Sequence, residues 1–386
     1  MARIVVSSYM VRYPLGGNLS WALQWLTGFQ QLGHEVYLVE KSGYPDSCFD
    51  LSKNIMSNDC SYGITIVRAL LERFGLQDKW CYVDARGQYH GLPRQRIEAI
   101  VQSADLFLDM GTHGTEMQGT WLDEAADAGL RVLVGTEPGL TQMRMEIKLA
   151  AGEELPDYDF YYTTGMNIGT KHTTAPTAER QWRPIFDPIV LDQFPYQPVR
   201  LDAPFTTVMN WQSHESIEFH GLRYGQKDVE FAKFMILPER TSVPLELAVA
   251  GKCVPTQRLV EAGWHIRHAY EVTVSVDSYR EYIRASKGEF SVCKHACVAL
   301  NTGWFSERSG AYLASGRPVV MQETGFSQHL PCGQGLFAVR TVEEAAAAIN
   351  EINSDYEPHA QWARDIAVEY LDARKVLGKL LDELGL

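Results

Sequence analysis

Two doubly wound α/β halves are predicted by three features of this sequence. Short apolar runs of strand length alternate with apolar residues at helical spacing from Ile4 to Val134, and again from Phe205 to Ile352. Prolines at 176, 184, 188, 195, 198 and 204 fall in the stretch 157–204, which separates the two series. The length of 386 residues exceeds what one core ordinarily serves and suits two or three units of about 150 residues. Alternation of strand and helix argues for parallel sheets covered on both faces.

The elements read as follows. Ile4 to Ser7 is a short buried strand, followed by a loop with Gly16-Gly17. Asn18 or Ser20 can cap a helix carrying Ala22, Trp25, Leu26, Phe29 and Leu32 at helical spacing, which Gly33 ends. Val36 to Val39 is the next strand, Ile64 to Leu71 and Ile97 to Ser103 are helical, and Leu106 to Met110 is a strand. Trp121 to Gly129 reads as a helix and Arg131 to Val134 as a strand. The proline-rich stretch reads as a crossover and linker. Beyond it, Thr206 to Met209, Phe234 to Ile236, Val298 to Leu300 and Pro318 to Gln322 read as strands. Val229 to Phe234, Val276 to Ala285, Ser306 to Ser315 and Val342 to Ile352 read as helices, the last opened by the capping box Thr341 and Glu344. The tail carries Val376, Leu377, Leu380, Leu381 and Leu384 on one helical stripe after Asp372, a candidate N-cap. That stripe must pack either on its own half or back on the first.

Composition narrows the function. Thirty-five Lys and Arg against 48 Asp and Glu give a formal net charge of −13, which repels a phosphate backbone, so nucleic acid is not an expected partner. A small phosphate ligand needs only one local pocket and remains open. No apolar run approaches the roughly 20 residues that span a bilayer, and no leader precedes Ile4, so a cytoplasmic protein without membrane insertion is expected. The 7 cysteines lack a disulfide spacing, as in a reducing compartment.

The most informative segment runs from Thr302 to Val320: strand, Gly303 loop, helix capped near Ser306, Gly316, strand. A helix start after a parallel strand offers free N–H groups and a positive dipole end to a phosphate. Arg308 in its first turn adds a cation, and Ser306 or Ser309 a hydroxyl; an ordinary capped helix with a Glu307–Arg308 surface pair is the alternative. Thr324-Gly325 follows the next strand at its carboxyl end, where open α/β sheets bind ligands, or forms a simple turn. Lys227 and Lys294 are further cations for a diphosphate, and Trp211, after Asn210, either contacts a ligand or fills the core. In the first half, His113 follows the strand ending at Met110, and its ordinary pKa near 6.5 suits a general base. Glu137, after the next strand, can orient His113, bind a hydroxyl or act as base itself. Asp157-Tyr158-Asp159 and Cys293-x3-Cys297 have metal-binding residue types without a metal-binding context, so no metal is expected at either.

The segment Ala314-Ser315-Gly316-Arg317-Pro318-Val319-Val320 with Gln322-Glu323-Thr324-Gly325-Phe326 resembles the donor-site segment of GT-B fold glycosyltransferases, most closely the group related to CgeB-type spore-protein glycosyltransferases. Gly16-Gly17, Gly33-His34-Glu35-Val36 and Thr341-Val342-Glu343-Glu344-Ala345 match the same pattern. The resemblance implies an acceptor-binding domain at 1–198, with 366–386 as a candidate return, and a nucleotide-sugar-binding domain at 199–365. It implies sugar transfer in the cleft between them, with no cofactor and no obligatory metal. Gly16, Gly17, Trp211, Lys227, Lys294, Trp304, Ser306, Glu307, Arg308, Ser309, Thr324 and Gly325 would bind the donor, and His113 or Glu137 would serve catalysis. Donor helices of retaining members often carry a Glu four residues before the Ser-Gly; here Ala311 stands there and Glu307 lies one turn earlier, which leaves inverting and retaining transfer both open. Sequence alone also expects Arg308→Ala to weaken donor binding with the fold intact. Two other classes compete: a dinucleotide-dependent oxidoreductase, with Glu40 as its ribose ligand, and a non-catalytic two-domain binding protein. The sugar, the acceptor and the oligomeric state are not legible in the sequence.

Overall fold

The structure, a computed structural model, describes residues 1–110, 120–200, 202–213 and 215–386. In chain order the first half contributes β1 (Arg3–Ser7), α1 (Gly16–Gln31), β2 (Glu35–Lys41), the pair β3 (Cys48–Asp50) and β4 (Ile55–Ser57), α2 (Ser61–Arg73), β5 (Trp80–Val83), β6 (Tyr89–Gly91), α3 (Arg94–Gln102), β7 (Leu106–Asp109), β8 (Leu130–Gly135), α4 (Leu140–Ala150), β9 (Phe160–Thr163) and β10 (Trp182–Pro184). The second contributes β11 (Phe205–Asn210), the hairpin β12 (Ile217–Phe219) and β13 (Leu222–Tyr224), α5 (Lys227–Phe231), β14 (Leu245–Ala250), α6 (Thr256–Glu261), β15 (His265–His268), α7 (Ala269–Val272), α8 (Val276–Ala285), β16 (Gly288–Ser291), α9 (His295–Ala299), α10 (Glu307–Ala314), β17 (Val319–Gln322) and β18 (Leu336–Val339). The helices α11 (Val342–Ser354), α12 (Tyr356–Ile366) and α13 (Ala373–Leu384) close the chain.

Eight strands form one sheet in the order β10-β9-β8-β7-β1-β2-β5-β6, and six form another in the order β15-β14-β11-β16-β17-β18. Within these two sheets, among the described residues, only β6 runs antiparallel, against β5. The strand order reverses between β1 and β7 in the first sheet and between β11 and β16 in the second. Open α/β sheets bind their ligands outside the strand carboxyl ends at such reversals. Both doubly wound sheets expected from the alternation are present.

α1 is buried on nearly every side, from Leu19 to Phe29, because the sheet lies under one face and α13 and α8 cover others. The tail stripe does return: Leu377, Leu380 and Leu381 join the core built by Trp25, Leu26 and Phe29. Asp372 caps α13 by accepting from the Arg374 N–H at 3.0 Å.

Several expected elements differ. The first helix starts at Gly16, before either expected cap, because the Gly16 N–H is satisfied by Thr273 O at 2.7 Å. Asn18 instead donates to the carbonyls of Tyr9 and Tyr13. Trp121 to Gly129 forms turns, although Trp121 and Ala125 are fully buried. Phe234 to Ile236 and Val298 to Leu300 belong to helical turns, since apolar runs this short fit a buried helix as readily as a strand. The proline-rich stretch contains β9 and β10; Pro184 ends the outermost strand, where a missing N–H costs nothing. Thr341 accepts from the Glu344 N–H at 3.2 Å, but the Glu344 carboxylate turns back to the N–H of Arg340, so the box closes one residue early.

Candidate functional site

The carboxyl ends of the two sheets meet along a tight seam. Asn167, after β9, donates its N–H to Thr302 O at 2.9 Å and its side-chain amide to Asn301 O at 3.0 Å. Trp304 forms an isolated bridge with Gly165. Glu137, after β8, pairs with Lys294, after β16, and lies 3.5 Å from Arg144. At the other end of the seam, a Cβ on Gly16 would stand 2.1 Å from Ser275 O, so only glycine lets α1 begin against the second half. Gly17 faces the Tyr279 ring at 3.5 Å by the same construction. Both glycines, expected to bind a donor, lie at this close approach.

Four charges gather beside the second sheet's reversal. Arg308 opens α10 but turns inward, donating to Glu289 Oε1 at 2.6 Å and Ser291 Oγ at 2.8 Å on β16. Burial opposes its charge, and Glu289 together with Tyr279 and Glu307 outweighs burial, so the guanidinium stays charged. Its partner is therefore Glu289 rather than Glu307, which corrects the expected surface pair. Glu289 is fully buried, and its Oε2 has no hydrogen-bond partner. Lys227, at the start of α5, is only 8% exposed and makes no hydrogen bond or ion pair among the described residues. Burial, reinforced by Arg308, pushes its ammonium down to about 7. The Glu289 charge offsets this only in part; a buried cation without an ion pair is costly, and a bound anion would reduce the cost. Lys294 follows β16, and Lys227 follows β11 after the β12–β13 hairpin; β11 and β16 are the two strands that flank the reversal.

The remaining expected donor residues are mostly framework. Ser306 caps α10, accepting from the Arg308 N–H at 3.3 Å. Ser309 is buried with its hydroxyl on Met321 Sδ at 3.7 Å. Thr324 donates to Trp304 O at 2.6 Å, and its carbonyl accepts from Gly303 N. Gly325 has φ 98°, which favours glycine, and a Cβ there would stand 2.4 Å from the Asn167 amide. Its N–H, expected to face a ligand, is taken by Glu323 Oε1 at 2.5 Å. Trp211 is core, 5.2 Å from the Phe231 ring. Glu307 and Ala311 border a void of about 10 Å3 with Gly17, Trp21 and Tyr279, room for about one water. The start of α10 therefore lies in the seam, against Gly17 and Trp21 of the first half.

His113 lies outside the described residues. β7 and β8 are adjacent, as a His113–Glu137 pairing requires. Glu40 accepts the N–H groups of Met10, Val11 and Arg12 and the Arg12 guanidinium. It clamps the loop after β1 and has nothing left for a ribose, which removes the ground of the dinucleotide reading. Asp157 accepts from Tyr161 and Asp159 from the Arg131 N–H, and Cys293 and Cys297 are buried.

Sequence reasoning missed Asp187 and Glu289. Glu289 lies in the segment Gly288–Ser291, where only Phe290 is apolar, so no local pattern marked it as buried. Asp187 accepts from Trp21 Nε1 at 2.8 Å, and burial together with nearby Glu307 pushes its carboxyl up to about 7. Between its ordinary value of 3.8 and about 7 the folded chain binds this proton more tightly than the unfolded chain, so stability falls as pH rises through that window. Asp187→Asn keeps the acceptor for Trp21 and removes the titration. Its urea midpoint should fall less than wild type from pH 4 to pH 8; parallel profiles would clear Asp187 of the effect.

No family model matches the sequence, and no curated protein matches it. Solved structures do. An alpha-glucosyltransferase in complex with UDP and a 13-mer DNA aligns over 100% of both chains with TM-score 0.61 and 10% identity. HepE of Anabaena in complex with UDP aligns over 100% of both chains with TM-score 0.54 and 12% identity. TarM aligns over 99% of this chain and 98% of its own with TM-score 0.54 and 9% identity. At such identities the likeness establishes a common fold, the two-sheet GT-B architecture. Among the described residues, no helix is long and apolar enough to cross a membrane.

Proposed function

We propose that this chain is a glycosyltransferase that takes a sugar from a nucleotide-sugar seated on the second half, 199–365, and passes it to an acceptor hydroxyl or amine at the first. The observation that carries the reading is Lys227, a buried cation that makes no ion pair among the described residues, beside Arg308 at the reversal of the second sheet. A departing nucleoside diphosphate supplies the missing negative charge, and neutralising it at a pre-set cation lowers the barrier without a metal. Lys294 leaves Glu137 and joins the diphosphate when the halves part. The seam is closed, so donor entry requires that parting, and re-closure excludes water from the activated sugar. His113, with Glu137 orienting it, draws the acceptor proton. Similar structures hold UDP, which supports a uridine donor. One of them also holds DNA, but the net charge of −13 favours a small-molecule or saccharide acceptor here.

A thermal-shift panel of UDP, GDP, TDP, CDP and ADP and their sugar forms tests this. One nucleotide family should raise the melting temperature, because a ligand of the folded state alone must do so. His113→Ala should keep that shift and lose transfer. A chain indifferent to all of them would sink the proposal.

A further inference from the structure

We infer that Cys60, Asp84 and His90 form a binding site for a borderline-soft divalent cation, Zn2+ by the chemistry of its donors, on the edge of the first sheet. One ligand atom from each residue lies within 4.8 Å of the others. His90 Nε2 stands 3.0 Å from Asp84 Oδ2 and 3.9 Å from Cys60 Sγ. All three are largely enclosed, with side-chain exposures of 20% for His90 and 10% for Asp84, and Cys60 is 8% exposed.

The surroundings hold these atoms in place. β5 and β6 pair Tyr82 with His90, so the imidazole and Asp84 sit two residues apart across one tight hairpin. Asp84 Oδ1 is fixed by the N–H groups of Arg86 at 2.8 Å and Gln88 at 3.0 Å, which leaves Oδ2 aimed at the imidazole. The His90 ring stacks on Tyr82 at 6.1 Å, and the Tyr82 hydroxyl is held by Cys48 Sγ at 3.1 Å. Cys60 immediately precedes α2. Such outer contacts are what orient metal ligands.

One sulfur, one imidazole nitrogen and one carboxylate oxygen suit Zn2+; Ca2+ and Mg2+ prefer oxygen alone. A thiolate and a carboxylate together also balance a divalent charge. Three protein ligands leave a fourth position for water. The bound ion would tie the β5–β6 edge to the start of α2, whose Gly63 abuts Val11 in the loop clamped by Glu40. The site is remote from Lys227 and takes no part in sugar transfer, so either proposal can fail without the other.

The test uses the full chain after chelator dialysis and adds Co2+ as a coloured substitute. One equivalent should give a thiolate-to-cobalt charge-transfer band that Zn2+ abolishes. Cys60→Ser and His90→Gln should each remove the band or weaken binding by at least about ten-fold, with unchanged circular dichroism. Cys253→Ser and Cys332→Ser, at exposed thiols elsewhere, should retain it. Should Cys60→Ser fail to fold, His90→Gln decides alone. Absence of the band in the wild type, or its survival in Cys60→Ser or His90→Gln, would overturn the assignment.

Discussion

Lys227→Met is expected to lower kcat/KM for the nucleotide-sugar by about 10²–10³-fold, the usual cost of losing one pre-set group that stabilises developing charge. The protein should not lose stability with it. Methionine fills similar volume, and the ammonium it replaces is buried without an ion pair among the described residues. The pH dependence separates this from a structural role. The folded-state pKa lies near 7 against an ordinary 10.5, so between those values the unfolded chain binds more protons. Wild-type stability should therefore rise as pH climbs from about 7 towards 10.5, and Lys227→Met should flatten that rise. Steady-state kinetics and urea unfolding at pH 7 and pH 9 check both parts. A variant that keeps full kcat/KM, or that unfolds more readily at pH 7, would return Lys227 to the framework.

Arg308→Ala is expected to behave in the opposite way, with the fold suffering first. Its guanidinium is the partner of Glu289 at 2.6 Å, and the two side chains are 10% and 0% exposed. Removing it strands a buried carboxylate, a class of change that costs about 3–5 kcal/mol. The sequence-level expectation of an intact fold is thereby reversed. Arg308→Met combined with Glu289→Met removes both charges and should recover most of the loss, because a buried ion pair exchanged for apolar groups is often neutral. Urea unfolding of the single and double variants measures this. Equal stability of Arg308→Ala and wild type would show that the pair is not the support described.

The likeness between expected and observed structure is uneven for physical reasons. Val276–Ala285 and the tail helix from Ala373 were legible because their apolar spacing and caps are local. β9 and β10 were not, because a strand in a proline-rich stretch is recognised only by the neighbour it pairs with. Among site residues, Lys227 was picked out as a candidate cation, but nothing in its neighbourhood of Gln226 and Asp228 tells it apart from a solvated lysine. Ser306 was legible as a cap. Ser309, Thr324 and Gly325 have the residue types of a binding loop and were assigned to one, yet their donors are spent on Met321, Trp304 and Glu323.

The order of residues by itself determined the periodicity of the chain, hence two parallel sheets and an apolar final helix, because which face of an element is apolar depends only on spacing along it. Tertiary structure alone decided which charges cancel. Arg308 meets Glu289, Lys294 meets Glu137 and Glu40 closes on residues 10–12, and Lys227 is left over. Whether a buried charge is neutralised depends on groups brought from distant positions, and that distance in space is not written in the local pattern.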